Sequence, residues 1–404
     1  AGAMELVRDR LVALVSGLAE FAEKYRDMPT LGFTHFQPAQ LTTVGKRAAL
    51  WVQDFLMDLE DVEKEMQQLP FRGVKGTTGT QASFLKIFDG DEEKVKALDR
   101  KVASAFGFRA TVPVSGQTYT RKIDSRILDV LSRIAQSAGK MASDMRLLAH
   151  LKEIEEPFSS KQIGSSAMAY KRNPMRCERV CSLSRYVMSL PANAAQTHAT
   201  QWFERTLDDS ANRRLVIPQA FLGTEAVVMI LTNVIQGCQV WPRVIQQRIE
   251  RELPFMATEN IIMAGVRAGG DRQRLHEAVR RNAMEASRRI KEEGAENDLL
   301  RRLKNDPAFA AVRERIDDLM QPGEYIGRAP AQVEAFLASP YARIADAKMW
   351  RFFAPPGDLT VAVIAVLVIL SIFVRDFWCR YLCPYGALVG LLGRVAIFKV
   401  SRDP

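Results

Sequence analysis

Residues 4 to 29 read MELVRDRLVALVSGLAEFAEKYRDMP, and this stretch decides the fold class. Leu6, Leu11, Leu14, Val15, Leu18 and Phe21 recur at helical spacing, and Pro29 lies beyond the end. The chain enters this helix without a lead-in, and residue 1 is alanine, which predicts that an amino-terminal part of a longer protein is absent. Helical periodicity returns over residues 40–68, 118–151, 175–202 and 210–240, at or beyond the usual globular length. A helix of ~30 residues spans ~45 Å at 1.5 Å per residue, so such rods are expected to find partners in other subunits. Strand signals are short and confined to TLGFTHF and ATVPVSG. Long helices with short Gly/Pro connectors predict an all-α protein. A long bundle over residues 1–240 carries the polar motifs, and a smaller helical domain over 241–340 follows it.

The 404 residues suffice for two or three domains. A hydrophobic fraction of 47% and a charged fraction of 25% fit an ordinary globular chain. The net charge of +9 suits anionic ligands, but both signs are interleaved along the helices and no dense basic run stands out. That argues for a solvated surface and against nucleic acid as a partner. Five irregularly placed cysteines make no disulfide framework and point to a reducing compartment, and no basic-then-apolar secretory leader opens the chain.

Beyond residue 340 the character changes. Leu359 to Val374 form an uncharged apolar run, flanked by Asp358, Arg375 and the Phe377-Trp378 pair. The run is a little short of the ~20 residues that cross a bilayer, and it lacks a polar face. It is expected to be a membrane segment, 359–374, in an apolar helical tail, 341–404, unrelated to the body.

GSSAMAYKRNPMRCER, residues 164 to 179, raises the chemical question. A serine hydroxyl is a poor base unless its alkoxide is stabilised, and Lys171 brings positive charge within loop reach of Ser165. A helix is expected after Pro174, with its first N–H groups and positive dipole end facing the loop. Asn173 adds an amide donor, so the segment has parts for removing a proton and holding negative charge. GVKGTTGT, at 73–80, lacks the order of a phosphate-binding P-loop. Cys177 and Cys181 are expected to pack rather than bind metal, and His198 and His276 to be structural.

This loop resembles the signature of the fumarase/aspartase superfamily, and its surroundings resemble the adenylosuccinate lyase family. The resemblance covers residues 1 to 340 through six ordered segments: LGFTHFQPAQLTTVGKRAALW, FRGVKGTTGTQASFLKIFDGD, GQTYTRKID, EEPFSSKQIGSSAMAYKRNPMR, QWFERTLDDSANRR and ELPFMATENIIMAGVRAGGDRQ. It implies a fumarase/aspartase-like helical bundle and β-elimination of fumarate from adenylosuccinate, giving AMP, and from the succinylated aminoimidazole carboxamide ribotide of purine biosynthesis. The implied assembly is a cytoplasmic homotetramer whose active sites are shared between subunits, with no cofactor and no metal.

Carried over to this chain, the resemblance makes Ser165 the base, with Ser166 its neighbouring hydroxyl. Lys171 and Asn173 stabilise the carbanion-like intermediate, and Glu178 supports the catalytic histidine. His35, beside Thr34, stands at the general-acid position, where an imidazole suits protonation of the departing purine nitrogen. Arg205, Ser210 and Arg214 are assigned to the nucleotide's phosphate and nearby groups, and a break near Asp208 would let the two arginines converge. Gln117, Thr77 and Thr78 complete the substrate contacts.

Three features depart from the family pattern. Ala169 replaces a loop proline and loosens the backbone. The family's amino-terminal domain, with a second histidine, is not represented, which predicts an incomplete substrate grip and impaired turnover. The tail, FWCRYLCPYGALVGLLG, resembles membrane-bound ferredoxin-type proteins, but Cys379 and Cys383 are two thiolates where a cluster generally takes four. Two alternative readings follow: a catalytically silent helical scaffold, and a membrane-tethered redox module acting through the tail.

Overall fold

The computed structural model describes residues 1–158, 168 and 170–339. These lie in one compact unit, Ala1–Asp346. The predicted membrane segment, Cys379 and Cys383 fall outside the described residues, as do Ser165, Ser166 and Ala169.

The elements run α1 (Gly2–Lys24), β1 (Pro29–Thr34), β2 (Gln37–Thr43), α2 (Val44–Gln68), α3 (Ala82–Ile87), α4 (Glu92–Ala105), α5 (Lys122–His150), β3 (Ile154–Glu155) and α6 (Met175–Ser189). They continue with α7 (Pro191–Ala199), α8 (Asp209–Gln236), β4 (Gln239–Val240), α9 (Pro242–Met256), α10 (Thr258–Arg267), α11 (Arg272–Glu293), α12 (Leu299–Asn305) and, after two 3-10 turns, α13 (Ala329–Ala338). The all-α expectation holds, and most boundary differences have local causes. The segment predicted as helix from residue 40 stays extended to Thr43, whose hydroxyl then caps α2 by accepting from the Lys46 N–H at 3.0 Å. Thr118 to Arg121 precede α5 rather than forming its first turn. The helix predicted over 175–202 breaks at Pro191, which opens α7 because proline cannot continue the ladder of α6.

Five of these helices form the bundle. Tyr25 O accepts the Gly45 N–H at 2.8 Å, so α1 and α2 turn back on each other. Gly45 permits this because a Cβ there would stand 2.6 Å from Arg26 Cα. Helix α5 runs antiparallel to α2, tied by Trp51 Nε1 to Asp144 at 2.8 Å, Arg133 to Asp61 at 2.6 Å and Arg126 to Glu65 at 2.7 Å. Helix α6 returns antiparallel to α5, with Ser184 beside Gly139 and Cys181 beside Ser143. Helix α8 runs alongside α1 in the same sense, Arg10 meeting Glu225 and Gly17 meeting Ile235.

Trp51, Phe55, Leu11, Leu14, Leu18, Leu131 and Leu231 are fully buried among these helices. Each large side chain withdrawn from water contributes about 1.5–3 kcal/mol before chain entropy is set against it. Leu6, which shares the helical spacing of α1, is 44% exposed. At 100° per residue it stands about 140° from Leu11, while Met4 and Val7 turn inward. A second apolar cluster joins Ile261, Leu275, Val279, Leu299, Leu303, Phe309 and Ile316 of the C-terminal helices.

Asp58 of α2 is buried against α5, and burial raises its carboxyl to about 7, with Asp54 and Asp61 adding to the shift and Ser137 and Arg133 opposing it. The folded chain therefore holds a proton that the unfolded chain releases near pH 4, so stability falls as pH rises from about 4 to 7 and is level above. Asp58→Asn should abolish that slope and stabilise the protein at pH 8 by roughly 1–3 kcal/mol, measured by urea unfolding across the pH range.

Candidate functional site

The antiparallel bundle sorts the polar motifs by end. At one end lie the β1–β2 hairpin, the β3–β4 pair and the start of α6. At the other lie residues 69–81, residues 106–121 and the segment leading into α8. Helix α2, with 25 residues, separates the two by about 37 Å.

At the first end, His35 and Phe36 are the two turn residues of the hairpin, between the Thr34–Gln37 pair. Both have positive φ, 52° and 58°, in a turn that favours Asn-Gly. Non-glycine residues in this region are strained, and such strain clusters at functional sites. His35 and Thr34 are exposed, on a hairpin whose first strand carries the strand signal of TLGFTHF. Arg47 steadies β1 by donating to Leu31 O at 2.6 Å and lying over the Phe33 ring. Below it, Glu153 is buried and pairs with Arg248 at 2.9 Å; burial pushes its carboxyl up, opposed by Arg248 and Arg47.

The signature segment leaves and re-enters the same end. Contrary to expectation, the start of α6 is not open to an anion. Glu156, a buried carboxylate, accepts the Arg176 N–H at 3.0 Å and the Cys177 N–H at 2.5 Å, while the Met175 N–H goes to Asn173 O. The free donors at the start of α6 are therefore taken, and a carboxylate already complements the dipole. Glu156 thus closes the stem of the segment. Arg172 reinforces it through Glu155 at 3.0 Å and Gln239 at 2.9 Å, and Arg176 donates to Pro157 O. Lys171 and Glu178 are exposed, and Asn173 is half-buried. Cys177 and Cys181 are buried in the core, where burial pushes the Cys177 thiol well up.

At the other end, three motif loops stack through glycine contacts. Gly79, at φ 84°, lies so close to Ser115 that any Cβ would collide with its carbonyl. Gly116 lies against Glu204, where a Cβ would stand 2.6 Å from the carbonyl oxygen, and the Gln117 N–H donates to that same oxygen at 3.0 Å. Arg72 donates to Gln117 O. Thr77 and Thr78 are exposed on the first loop, and Gln117 is half-buried on the second. The first loop is anchored by a buried pair, Lys75 to Asp99 at 2.5 Å.

The break expected near Asp208 is present, since α8 begins at Asp209 and Arg205 precedes it. Ser210 is half-buried and Arg214 exposed on the first turns of α8. The starts of α5 and α8 are cross-tied: Arg121 donates to Asp209 at 2.6 Å, and Arg213 donates to Asp124 at 2.5 Å. Arg205 takes the other oxygen of Asp209 at 2.7 Å. Burial alone would raise the Asp209 carboxyl, but hydrogen bonds from Arg205 and Arg121 hold it below the usual range. Tyr119 donates to Asp124 at 2.7 Å and is pushed up to about 12, first by burial and then by Asp124. The sequence reading missed Glu156, Arg121, Asp124, Asp209 and Arg213. Their only linear signal is that they stand inside quoted motifs, beside residues that were chosen.

The stem predicts a stability effect. Glu156→Gln should destabilise the chain by about 1–3 kcal/mol, because the amide leaves one buried N–H without its acceptor. The exposed Glu178→Gln should stay within about 0.5 kcal/mol; urea unfolding of both variants checks the contrast.

Residues 2–189 match a family described as Lyase, residues 254–336 one described as Adenylosuccinate lyase C-terminus, and residues 359–402 one described as 4Fe-4S binding domain. Adenylosuccinate lyase of Schizosaccharomyces pombe is 55% identical over 335 residues, covering 83% of this chain and 70% of that protein. Its Saccharomyces cerevisiae counterpart gives the same figures, and that of Schistosoma mansoni is 43% identical over 336 residues, covering 83% and 70%. Among solved structures, the fold is similar to that of a 3-carboxy-cis,cis-muconate lactonizing enzyme from Pseudomonas putida. The TM-score is 0.71 at 19% identity, over 85% of this chain and 73% of that one. A fumarate lyase from Mesorhizobium sp. BNC1 gives a TM-score of 0.69 at 23% identity, over 84% and 73%. Ordered motifs, helical fold and long alignments agree: the chain belongs to the adenylosuccinate lyase family, carbon–nitrogen lyases of the fumarase/aspartase superfamily.

Proposed function

We propose that the chain, as a cytoplasmic homotetramer, eliminates fumarate from adenylosuccinate to leave AMP, and from the succinylated aminoimidazole carboxamide ribotide of purine biosynthesis. In this reading Ser165 removes the proton beside a succinyl carboxylate, and the C–H electrons become the new C=C bond. Lys171 and Asn173 hold the negative charge that builds on that carboxylate. The C–N pair departs to the purine nitrogen, which His35 protonates, with Glu178 in support. Arg205, Ser210 and Arg214, with Thr34, Thr77, Thr78, Gln117 and Ser166, bind the nucleotide and succinyl groups.

The separation of the motifs along the bundle carries this reading. His35, Lys171 and Asn173 stand at one end, and Gln117, Arg205 and Arg214 stand about 37 Å away at the other. A substrate the size of a nucleotide cannot touch both, so a complete site needs ends from different copies. Helix α8 supplies a surface for such packing. It is long and apolar enough to cross a membrane by composition alone, and Leu215, Leu222 and Met229 line its exposed side seven residues apart. We read residues 1–240 as the catalytic bundle and 241–340 as the C-terminal domain, supported by the second core cluster and by the match over 254–336. The tail from 341 is read as a separate segment, for which the match over 359–402 favours a ferredoxin-type origin. Anaerobic reconstitution that binds no iron would reject a redox role for it.

The full-length protein should release fumarate from adenylosuccinate, followed by ultraviolet absorbance; a folded tetramer of it that releases none overturns the reading. His35→Gln and Arg214→Met should each lower kcat/KM by about a hundredfold or more. Unfolding and refolding the two inactive variants together should restore activity, because some mixed sites then carry both native ends. Failure to complement would place the two residues in one subunit's site or in none.

A further inference from the structure

We propose that Asp209 is a positioning residue, which with Arg121 sets the guanidinium of Arg205 for the phosphate of the nucleotide. The inference rests on the nucleotide-binding reading above and adds two residues to it. The Asp209 side chain is 0% exposed and that of Arg121 is 5%, so neither is open to a ligand. Arg205 is 27% exposed and stands in the non-helical segment before α8, where no helix restrains it. One carboxylate oxygen of Asp209 takes Arg205 Nη1 at 2.7 Å, and the other takes Arg121 Nε at 2.6 Å. A guanidinium carries five N–H donors in a rigid fork, so fixing one nitrogen orients the rest.

Charge explains why two arginines share one carboxylate. Arg205 with Asp209 alone would be a neutral pair at a helix start, and the acidic group would repel an anion. Arg121 adds the second positive charge, so the trio carries +1 and still attracts a phosphate. The reciprocal pair, Arg213 with Asp124, holds the starts of α5 and α8 together and keeps Arg121 beside Asp209. The loop bearing Arg205 is pinned from its other side by the Gln117 N–H on Glu204 O, at 3.0 Å.

The test compares the two products as inhibitors of the purified enzyme, since AMP carries the phosphate and fumarate does not. Asp209→Asn should raise the inhibition constant of AMP by about tenfold or more, with that of fumarate moving less than about twofold. A role in folding alone would move both constants or neither, and either result overturns the proposal. Should Asp209→Asn not fold, Arg121→Gln is read in its place and must weaken AMP at least about threefold with fumarate unchanged. Arg205→Gln separates the two levels of the argument. If it leaves AMP inhibition intact, the nucleotide-binding reading fails; if it weakens AMP while Asp209→Asn does not, only the positioning role fails.

Discussion

The rise of the α-helix constrains everything else in this protein. A chain that folds into long antiparallel rods delivers its connecting loops to two ends and to nowhere between. Helices α2, α5 and α8 have 25, 29 and 28 residues, so each loop cluster belongs wholly to one end. The hairpin with His35 and the stem of the signature segment share one end, and the stacked loops with Gln117 and Arg205 share the other. In the proposed reading, chemistry that needs both ends draws on different copies, and the exposed apolar side of α8 is the surface on which they would pack.

At both ends, buried carboxylates hold irregular backbone in place. Glu156 ties the chain just after β3 to the start of α6 by accepting two N–H groups there. Asp99 fixes the loop after α2 through Lys75 and through the Val74 N–H at 2.5 Å. Asp124 and Asp209 tie the starts of α5 and α8 to each other's arginines. The pattern has one physical origin. Loops lack the internal hydrogen-bond ladders of helices, and a buried charge left without partners is strongly destabilising, so each carboxylate demands one particular loop geometry. Glycine provides the complementary device, as at Gly79 and Gly116, where three motif loops come closer than any Cβ would allow.

Part of this was legible along the chain. The apolar stripe of α1 announced itself through Leu11, Leu14, Val15 and Leu18, although Leu6 at the same spacing faces solvent. Pro191 marked a break that the longer periodicity concealed. The break before α8, which frees Arg205 from the helix, was anticipated from the need for its arginines to converge. The left-handed turn at His35 and Phe36 was not legible, because THFQ carries neither the asparagine nor the glycine that would advertise it.

The sequence by itself determined the helical class, the order of the polar motifs and the chemical types within them, since helix periodicity and short motifs are local properties. Tertiary structure alone decided which motifs became neighbours. Arg121 and Asp209 are 88 positions apart, and Glu156 precedes the N–H groups it caps by 20 and 21. No spacing rule connects such pairs. They meet because the up-and-down bundle sets the parallel helices α5 and α8 start beside start and brings the start of α6 back to the end where α5 stops, and because buried charge tolerates few alternative arrangements.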